Sequence, residues 1–325
     1  MENNLTDKDI EVLNKFGKKC GIWYLKINDK EKIFNIKELW ILNVEIEYIP
    51  TEIFKLINLE ELYIDCVSLR KLPKEIGNLT NLKELSISSD DLTELPKEIV
   101  NLINLKSLDI KCVSLRKLPK EIGNLINLKE LSISSDDLTE LPKEIVNLIN
   151  LKKLYICCKS LRKLPEDIKN LINLKRLKIS CYDLELTRKI GNIINLETLY
   201  IITDNLETLP SEIGKLINLK ELDIWSGVDG LIELPKEIGN LTNLESLDIE
   251  CENLKELPKE IYNLINLKAL EIRCNNLENF PDGIEKLTNL ERLTISGKPC
   301  NLKFLPMGEI KKLNNIKELE IRLRE

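Results

Sequence analysis

The chain has 325 residues, of which 43% are hydrophobic and 31% are charged, and its formal net charge is −6. This balance excludes a disordered chain, and the negative charge argues against electrostatic binding of nucleic acid, which needs clustered lysine and arginine. No apolar run reaches the length of about 18 residues that a membrane-spanning helix needs, so no contact with a membrane is expected.

The first 34 residues differ from the rest and are interpreted as an N-terminal cap made of a helix and a strand. Thr6 and Asp9 have the spacing of a capping box, and the apolar residues between 10 and 16 predict a short amphipathic helix that Gly17 would end. Residues 22–27 predict a strand, and residues 28–30 predict the turn after it. A solenoid needs such a cap to cover its first core layer.

From residue 35 onward one phrase, Asn-Leu/Ile-x-x-Leu-x-Ile, occurs thirteen times, usually 23 residues apart. A fixed period of this size is typical of a solenoid, in which each repeat buries its apolar face against its neighbours. The alternating Leu and Ile predict a strand, and the Pro-x-x-Ile that follows predicts a short helical turn or an extended segment. The recurrent asparagine is expected to bond backbone groups of the incoming turn.

Six of the nine cysteines share one column, two residues after the repeat isoleucine: Cys66, Cys112, Cys158, Cys181, Cys251 and Cys274. Strand alternation turns this column inward, with roughly 5 Å between neighbouring thiols. One interpretation is a metal or redox ladder. The favoured one is a column of small buried residues, because free cysteine packs as a small hydrophobe and the chain has no histidine for a mixed zinc site. We therefore expect no metal and no cofactor.

The pattern Leu-x-x-Leu-x-Ile-x-x-x-x-Leu-x-x-Leu-Pro-x-x-Ile-x-x-Leu resembles the 23-residue class of leucine-rich repeats. It is most similar to bacterial leucine-rich repeat proteins and to plant and animal Ras-regulating leucine-rich repeat scaffolds. The resemblance implies an α/β solenoid shaped as a right-handed arc, with a concave parallel β-sheet and convex short helical or 3-10 turns. The predicted organisation is a cap over residues 1–34 and about thirteen repeats over residues 35–325, continuous as one domain.

One departure from this family concerns the loop that leaves each strand. The family's usual asparagine, three residues after the second apolar position of the strand, is kept only at Asn275. The loop is therefore expected to differ from the family form. The column of cysteines and serines would take over part of its packing.

The positions that flank the buried Leu and Ile are expected to face out of the concave sheet. In the early repeats they are polar and acidic, whereas basic and aromatic side chains mix only in the middle repeats. Because arginine and aromatic residues supply most interface hot spots, the predicted binding site is Lys153, Tyr155, Arg176, Lys178, Tyr200, Ile202 and Trp225.

Two irregularities fall in the same part of the chain. The repeat after Cys181 lacks its proline and has 22 residues, and two residues are added in the segment 225–230. Local rule-breaking can mark a functional site, but drift of a solvated repeat surface is the preferred interpretation. By contrast, residues 66–106 and 112–152 are identical at 40 of 41 positions, which indicates a recent duplication.

The absence of histidine excludes Ser-His and Cys-His catalysis, and no phosphate-binding loop is present. The predicted function is a non-enzymatic module that binds another protein on the concave face. A regulator or scaffold of small-GTPase signalling, a secreted effector and a self-associating structural protein remain alternatives. Nine cysteines and a polar N-terminus predict a cytoplasmic protein.

A monomer is expected. An end-to-end homodimer is the alternative, because the chain stops on a strand that could pair with another chain. Arg322, Arg324 and Glu325 would guard the edge of that strand against pairing with another chain.

Overall fold

The computed structural model describes residues 5–26, 28–42, 44–227, 230–297 and 305–323. The chain forms two compact units, residues 1–159 and 160–325. In each unit the strands follow one another in chain order, and their Leu and Ile positions form the core.

The first unit begins with helix α1, Asp7–Lys19. The predicted capping box is confirmed, since the Asp9 N–H donates to Thr6 Oγ1 (3.2 Å) and the Thr6 N–H donates to Asp9 Oδ2 (2.8 Å). The predicted end at Gly17 is wrong, because the helix runs on to Lys19. Gly17 instead permits a close approach, since a Cβ there would lie 2.7 Å from the Cβ of Leu25.

The strand predicted over residues 22–27 is also wrong. Trp23–Leu25 is a 3-10 turn, and helix α2, Lys30–Phe34, begins where the turn was predicted to end. Ile27 lies outside the described residues. Ile22 and Leu25 are both buried, and their three-residue spacing is that of a helical turn. Trp23 between them is 73% exposed. The buried positions are therefore three residues apart and do not follow the two-residue alternation of a strand.

Six parallel strands are described in the first unit. They are β1 Glu38–Leu42, β2 Glu61–Asp65, β3 Glu84–Ser89, β4 Ser107–Cys112, β5 Glu130–Ser135 and β6 Lys153–Cys158. The 3-10 helices between them are Thr51–Lys55, Lys74–Asn78, Lys97–Asn101, Lys120–Asn124 and Lys143–Asn147. Equivalent repeat positions pair across neighbouring strands, as Leu62 pairs with Leu85 and Ile64 with Ile87. The repeat leucines and isoleucines thus stack into ladders inside the unit.

The second unit has seven described parallel strands. They are β7 Arg176–Ser180, β8 Thr198–Thr203, β9 Glu221–Ser226, β10 Ser246–Cys251, β11 Ala269–Cys274, β12 Arg292–Gly297 and β13 Glu318–Leu323. The helices of this unit are the 3-10 helices Ile168–Asn170, Arg188–Asn192, Ser211–Lys215, Lys236–Asn240, Lys259–Asn263 and Ile284–Lys286, and helix α3, Met307–Ile310. The predicted repeat fold, with parallel strands and short 3-10 turns, is therefore confirmed in each unit.

Proline starts most of the 3-10 turns in an extended conformation. Pro96 has φ −66° and ψ 141°, and its carbonyl accepts from the N–H of Ile99 (3.1 Å). In the repeat that lacks proline, Thr187 takes the same place with φ −76° and ψ 161°, and its carbonyl accepts from Ile190 (3.1 Å). The loss of proline therefore leaves the turn intact, and the shorter repeat is accommodated in the loop before it.

The repeat asparagines bond the backbone of a turn, as predicted, but this turn belongs to the preceding repeat and is not the one that leads into their own strand. Asn127 Nδ2, for example, donates to the carbonyl of Ile103 (2.8 Å) in the preceding repeat. Equivalent bonds are made by Asn58, Asn81, Asn104, Asn150, Asn195, Asn218, Asn243, Asn266, Asn289 and Asn315. Such bonds satisfy carbonyls that the 3-10 turns leave without a partner.

The column of cysteines and serines is buried, as the favoured interpretation predicted. Ser89 Oγ donates to the carbonyl of Leu69 (2.8 Å) and accepts from the N–H of Asp91 (3.2 Å). This column therefore holds the loop that leaves the strand, as expected from the missing family asparagine. At the last strand Arg322 pairs with Glu320, while Arg324 and Glu325 lie outside the described residues. Within the described part of the chain, no helix has the length and apolar character needed to cross a membrane.

Candidate functional site

The predicted site residues fall on both units. Lys153 and Tyr155 lie on β6 of the first unit, where Lys153 Nζ pairs with Glu130 Oε1 (2.7 Å) and Tyr155 stands beside Ser132. The other five lie on β7, β8 and β9 of the second unit, which are neighbouring strands: Arg176, Lys178, Tyr200, Ile202 and Trp225. The structure therefore brings together these five within one unit.

Within the second unit, the five residues form an ordered surface on the exposed side of the sheet. Lys178 is the register partner of Tyr200, and Ile202 is the register partner of Trp225. Trp225 is 41% exposed. Tyr200 Oη donates to Glu221 Oε2 (3.0 Å), and burial together with this carboxylate raises the pKa of Tyr200 to about 12. An apolar pair thus stands next to a tyrosine that is held in its neutral, donating form.

A groove of about 620 Å³ lies entirely within the second unit, beside Trp225. Its walls include Tyr182, Asp204, Glu250, Arg273 and Asn275. Trp225 is the one predicted site residue among the described residues that line it. Gly227, in the segment enlarged by two residues, also lines the groove, so this irregularity shapes a concave feature of the surface.

Arg273 on β11 organises the acidic side of this region. Its Nη1 donates to both carboxylate oxygens of Asp248 (2.9 and 3.0 Å) and to Glu250 Oε2 (3.3 Å), and its Nη2 donates to Glu271. One guanidinium is therefore shared by three carboxylates. This arrangement restricts the arginine side chain and concentrates negative charge around it.

Sequence reasoning missed Arg273, although a signal for it was present. Arg273 occupies the position directly after the repeat isoleucine, as Ile202, Trp225 and Glu250 do on the preceding strands. Continuing that column by one more repeat would have placed Arg273 beside the predicted site. Its contacts with three carboxylates have no comparable sequence signal, because they depend on where a long side chain settles.

Three acids form a ladder on the same exposed face. Asp223 pairs in register with Asp248, and Asp248 with Glu271, at a strand separation of about 4.8 Å. Burial, and next the nearby charge of Asp248, raise the pKa of Asp223 to about 6. The positive charge of Arg273 lowers this pKa, but by less. Burial likewise raises the pKa of Asp248. The second unit therefore has a surface with cations on β7, an apolar pair on β8 and β9, and acids on β9 to β11.

No group of three or more cysteine, aspartate or glutamate side chains among the described residues is arranged to hold a metal ion. The cysteine column is occupied in the first unit by thiols that bond strand carbonyls, such as Cys112 Sγ to the carbonyl of Ile87 (3.8 Å). The arrangement of the groove supports binding through charge and aromatic contact.

Comparison with known proteins gives consistent matches. The family model described as a leucine-rich repeat region matches residues 19–134, 119–229 and 211–325. A leucine-rich repeat protein of Leptospira interrogans is 32% identical, with a TM-score of 0.72 over 91% of this chain and 80% of that chain. No curated protein matches.

Two more distant structures share the fold. An internalin of Listeria monocytogenes is 19% identical, with a TM-score of 0.67 over 98% of this chain and 96% of that chain. The plant peptide hormone receptor RGFR1, solved in complex with RGF2, is 24% identical, with a TM-score of 0.57 over 91% of this chain and 57% of that chain. At these identities the likeness concerns the fold alone.

Proposed function

The chain belongs to the leucine-rich repeat family, whose members are generally non-enzymatic interaction modules, and from this premise we propose that it binds a protein partner and catalyses no reaction. The structure of RGFR1 with RGF2 is an example of this fold holding a partner. We propose further that the partner is held on the exposed, concave face of the sheet, within the second unit.

The observation that carries this location is the register pair of Ile202 and Trp225. Two large apolar side chains stand side by side on a face where the neighbouring positions are polar or charged. Burial of such a pair, above all of a tryptophan, supplies much of the binding free energy in protein interfaces. Trp225 also lines the groove, so a partner side chain has a recess to enter beside it.

The charges on either side give the proposed contact a direction. Arg176 and Lys178 lie on β7, while Asp223 and Glu250 lie on β9 and β10. A partner that carries acids at one end of its contact surface and cations at the other would fit in one orientation only, because the reverse orientation brings like charges together. The cationic end of the partner would lie over the groove, whose walls also include Asp204 and Glu252.

The test is affinity capture with the full chain as bait, quantified by mass spectrometry. Trp225→Ala is expected to lower the yield of the specific partner at least about tenfold, since interface tryptophans often contribute about 2 kcal/mol or more. The matched control is Trp40→Ala, because Trp40 is a strand tryptophan of similar exposure (45%) on β1 of the first unit.

The result that would remove this site is equal capture by the wild type and Trp225→Ala, with both folded by circular dichroism. Loss of capture in both tryptophan variants would also count against it, because the contact would then not be confined to the second unit. If the captured species is the chain itself, the mass in solution will rise with concentration, and the self-associating alternative is then favoured.

A further inference from the structure

Two cysteines of the second unit face each other across neighbouring strands. Cys251, the last residue of β10, is the register partner of Cys274, the last residue of β11. Their sulfur atoms are 3.0 Å apart, and both side chains are buried. From this contact we propose that Cys251 and Cys274 form a modification site, a dithiol that a hydroperoxide oxidises to a disulfide joining β10 and β11.

The contact has no counterpart within the described column of the first unit. In the first unit, cysteine alternates with serine along the column: Cys66 directly follows β2, and Ser89, Cys112, Ser135 and Cys158 end strands β3 to β6. Each serine stands between two cysteines, so the column's thiols in the first unit lie two strands apart. Within the second unit, Cys251 and Cys274 are the two described cysteines that pair in register on adjacent strands. Because no serine separates Cys251 from Cys274 in this column, their sulfur atoms are in direct contact.

The backbone geometry suits a disulfide. Paired residues on neighbouring strands lie about 4.8 Å apart, which falls inside the range of Cα separations that disulfides span. The sulfurs need to approach by about 1 Å to reach a bond length of about 2.05 Å. Small side-chain rotations supply this shift, so the strand pairing survives.

The two thiols are not equivalent, and the difference assigns their roles. The hydrogen bond from Cys274 lowers the pKa of Cys251, whereas that same bond and burial raise the pKa of Cys274. Cys251 also lines the groove beside Glu250 and Glu252, whereas Cys274 does not line it. Cys251 is therefore the nucleophile, and Cys274 is the resolving thiol.

The reaction proceeds in two steps. The Cys251 thiolate attacks the terminal oxygen of the hydroperoxide, so that an S–O bond forms and the O–O bond breaks. The alkoxide leaves as an alcohol, or as water from hydrogen peroxide, with the proton of Cys251, and the sulfur is oxidised by two electrons to a sulfenic acid. Cys274 then attacks this sulfur, the S–S bond forms, and the hydroxyl leaves as water with the proton of Cys274.

The experiment treats the folded full chain with hydrogen peroxide, blocks the remaining thiols and digests with trypsin without reduction. Cleavage after lysine and arginine places Cys251 alone in peptide 237–255 and Cys274 alone in peptide 274–286. The expected product is the linked pair of these peptides, about 2 Da lighter than their sum and separable by reduction. Cys112, between two serine-bearing strands, is expected to stay a free thiol under the same conditions.

Two variants separate the roles of the thiols. Cys251→Ser is expected to abolish the linked peptides, and Cys274→Ser is expected to leave Cys251 as a sulfenic acid that a dimedone probe labels. Serine already occupies this column at Ser89 and Ser135, so both substitutions keep the fold.

Three results would overturn the proposal. One is recovery of both peptides as free thiols at a peroxide concentration that oxidises the exposed Cys157. Another is a link from Cys251 to a different cysteine. The third is a linked pair that appears only in the unfolded chain.

Discussion

The two units have cores of the same kind, built from ladders of Leu and Ile, and they differ on their exposed faces. In the first unit, residues 66–106 and 112–152 are identical at 40 of 41 positions, and the exposed strand positions repeat small serines such as Ser86 and Ser132. In the second unit the same kind of position holds Asp223 and Trp225 on β9 and Arg273 on β11. Stacking fixes the buried ladder in both units, so variation is confined to side chains that do not touch the core. A site is therefore expected where that variation is greatest.

The aromatic residues illustrate the same contrast. In the first unit Trp40 packs against Tyr63, with ring centroids 4.4 Å apart, and Tyr63 Oη donates to Glu84 Oε2 (3.0 Å). In the second unit Trp225 has no ring contact with another aromatic residue of the described chain, and it lines the groove. Trp40 and Tyr63 therefore cover part of each other's apolar surface, whereas the exposed apolar surface of Trp225 is available to a partner.

The largest expected effect tests whether the two cores are equivalent. Leu108 on β4 and Leu247 on β10 are both buried and occupy the same place in the ladder. Leu→Ala at either position is expected to lower the free energy of unfolding by about 2–5 kcal/mol, from lost burial and the cavity left behind. The measurement is the urea unfolding midpoint of each single variant.

The control for this pair is Ile103→Ala, at a side chain that is 61% exposed, and it is expected to change stability little. A large loss of stability in one unit with almost none in the other would show that the two cores are not equivalent.

The next effect concerns the arginine that holds three carboxylates. Arg273→Leu is expected to destabilise the folded chain by about 1–2 kcal/mol at neutral pH, because it leaves Asp248, Glu250 and Glu271 crowded without their common cation. The matched control is Lys111→Leu, at the same repeat position of the first unit, where the lysine is 61% exposed and pairs with Asp109 alone.

Thermal unfolding in low salt gives the comparison between the two variants. Equal effects of Arg273→Leu and Lys111→Leu would show that the arginine cluster adds nothing beyond an ordinary surface pair. Added salt is expected to reduce the difference between the two variants, since screening weakens the repulsion among the uncompensated acids.

A smaller effect, of opposite sign, follows from Asp223. Its folded-state pKa of about 6 lies above the ordinary value of 3.8, so the folded chain binds this proton more tightly than the unfolded chain does. The resulting stability is present in acid and is lost as the pH rises through about 6. Asparagine does not ionise, so Asp223→Asn avoids the cost of a buried charge beside Asp248. The variant is therefore expected to be about 1 kcal/mol more stable than the wild type at neutral pH, after allowance for solvent screening.

The measurement is the difference in unfolding free energy between Asp223→Asn and wild type at about pH 4 and about pH 7. The difference between the two proteins isolates this group from carboxylates such as Glu60, whose pKa is lowered by bonds to Lys83 and Lys37. A difference that stays constant with pH would mean that Asp223 titrates alike in the folded and unfolded chains.

The sequence was sufficient for the repeat core and insufficient for the cap. The Leu and Ile columns have only one arrangement that buries all of them, so spacing predicted both strands and turns. Residues 22–25 have no repeat to constrain them, and a local three-residue spacing gave a 3-10 turn where alternation predicted a strand. Local patterns are ambiguous over so short a segment, and the packing of Leu25 against Gly17 decides the outcome.

For the candidate site, the sequence predicted which residues lie on neighbouring strands, but it did not predict the contacts between their side chains. The period placed Tyr200, Ile202 and Trp225 on neighbouring strands, because a repeat fixes which residues stand side by side. It did not predict that Arg273 reaches Asp248, nor that Cys251 and Cys274 come within 3.0 Å. These depend on side-chain rotamers, which the spacing of a repeat does not specify.

The smallest expected effect tests the asparagine bonds, which are the same in both units. Asn127 donates to the carbonyl of Ile103 (2.8 Å), and Asn243 donates to that of Ile217 (2.7 Å). Asn→Ala at either position is expected to cost about 0.5–1 kcal/mol, because the bond is partly exposed and water replaces part of it. The urea midpoint of each variant measures this cost. The two values should agree, since the bond geometry is repeated; a much larger cost at Asn243 would mean that the second unit differs from the first in its turns as well as on its exposed face.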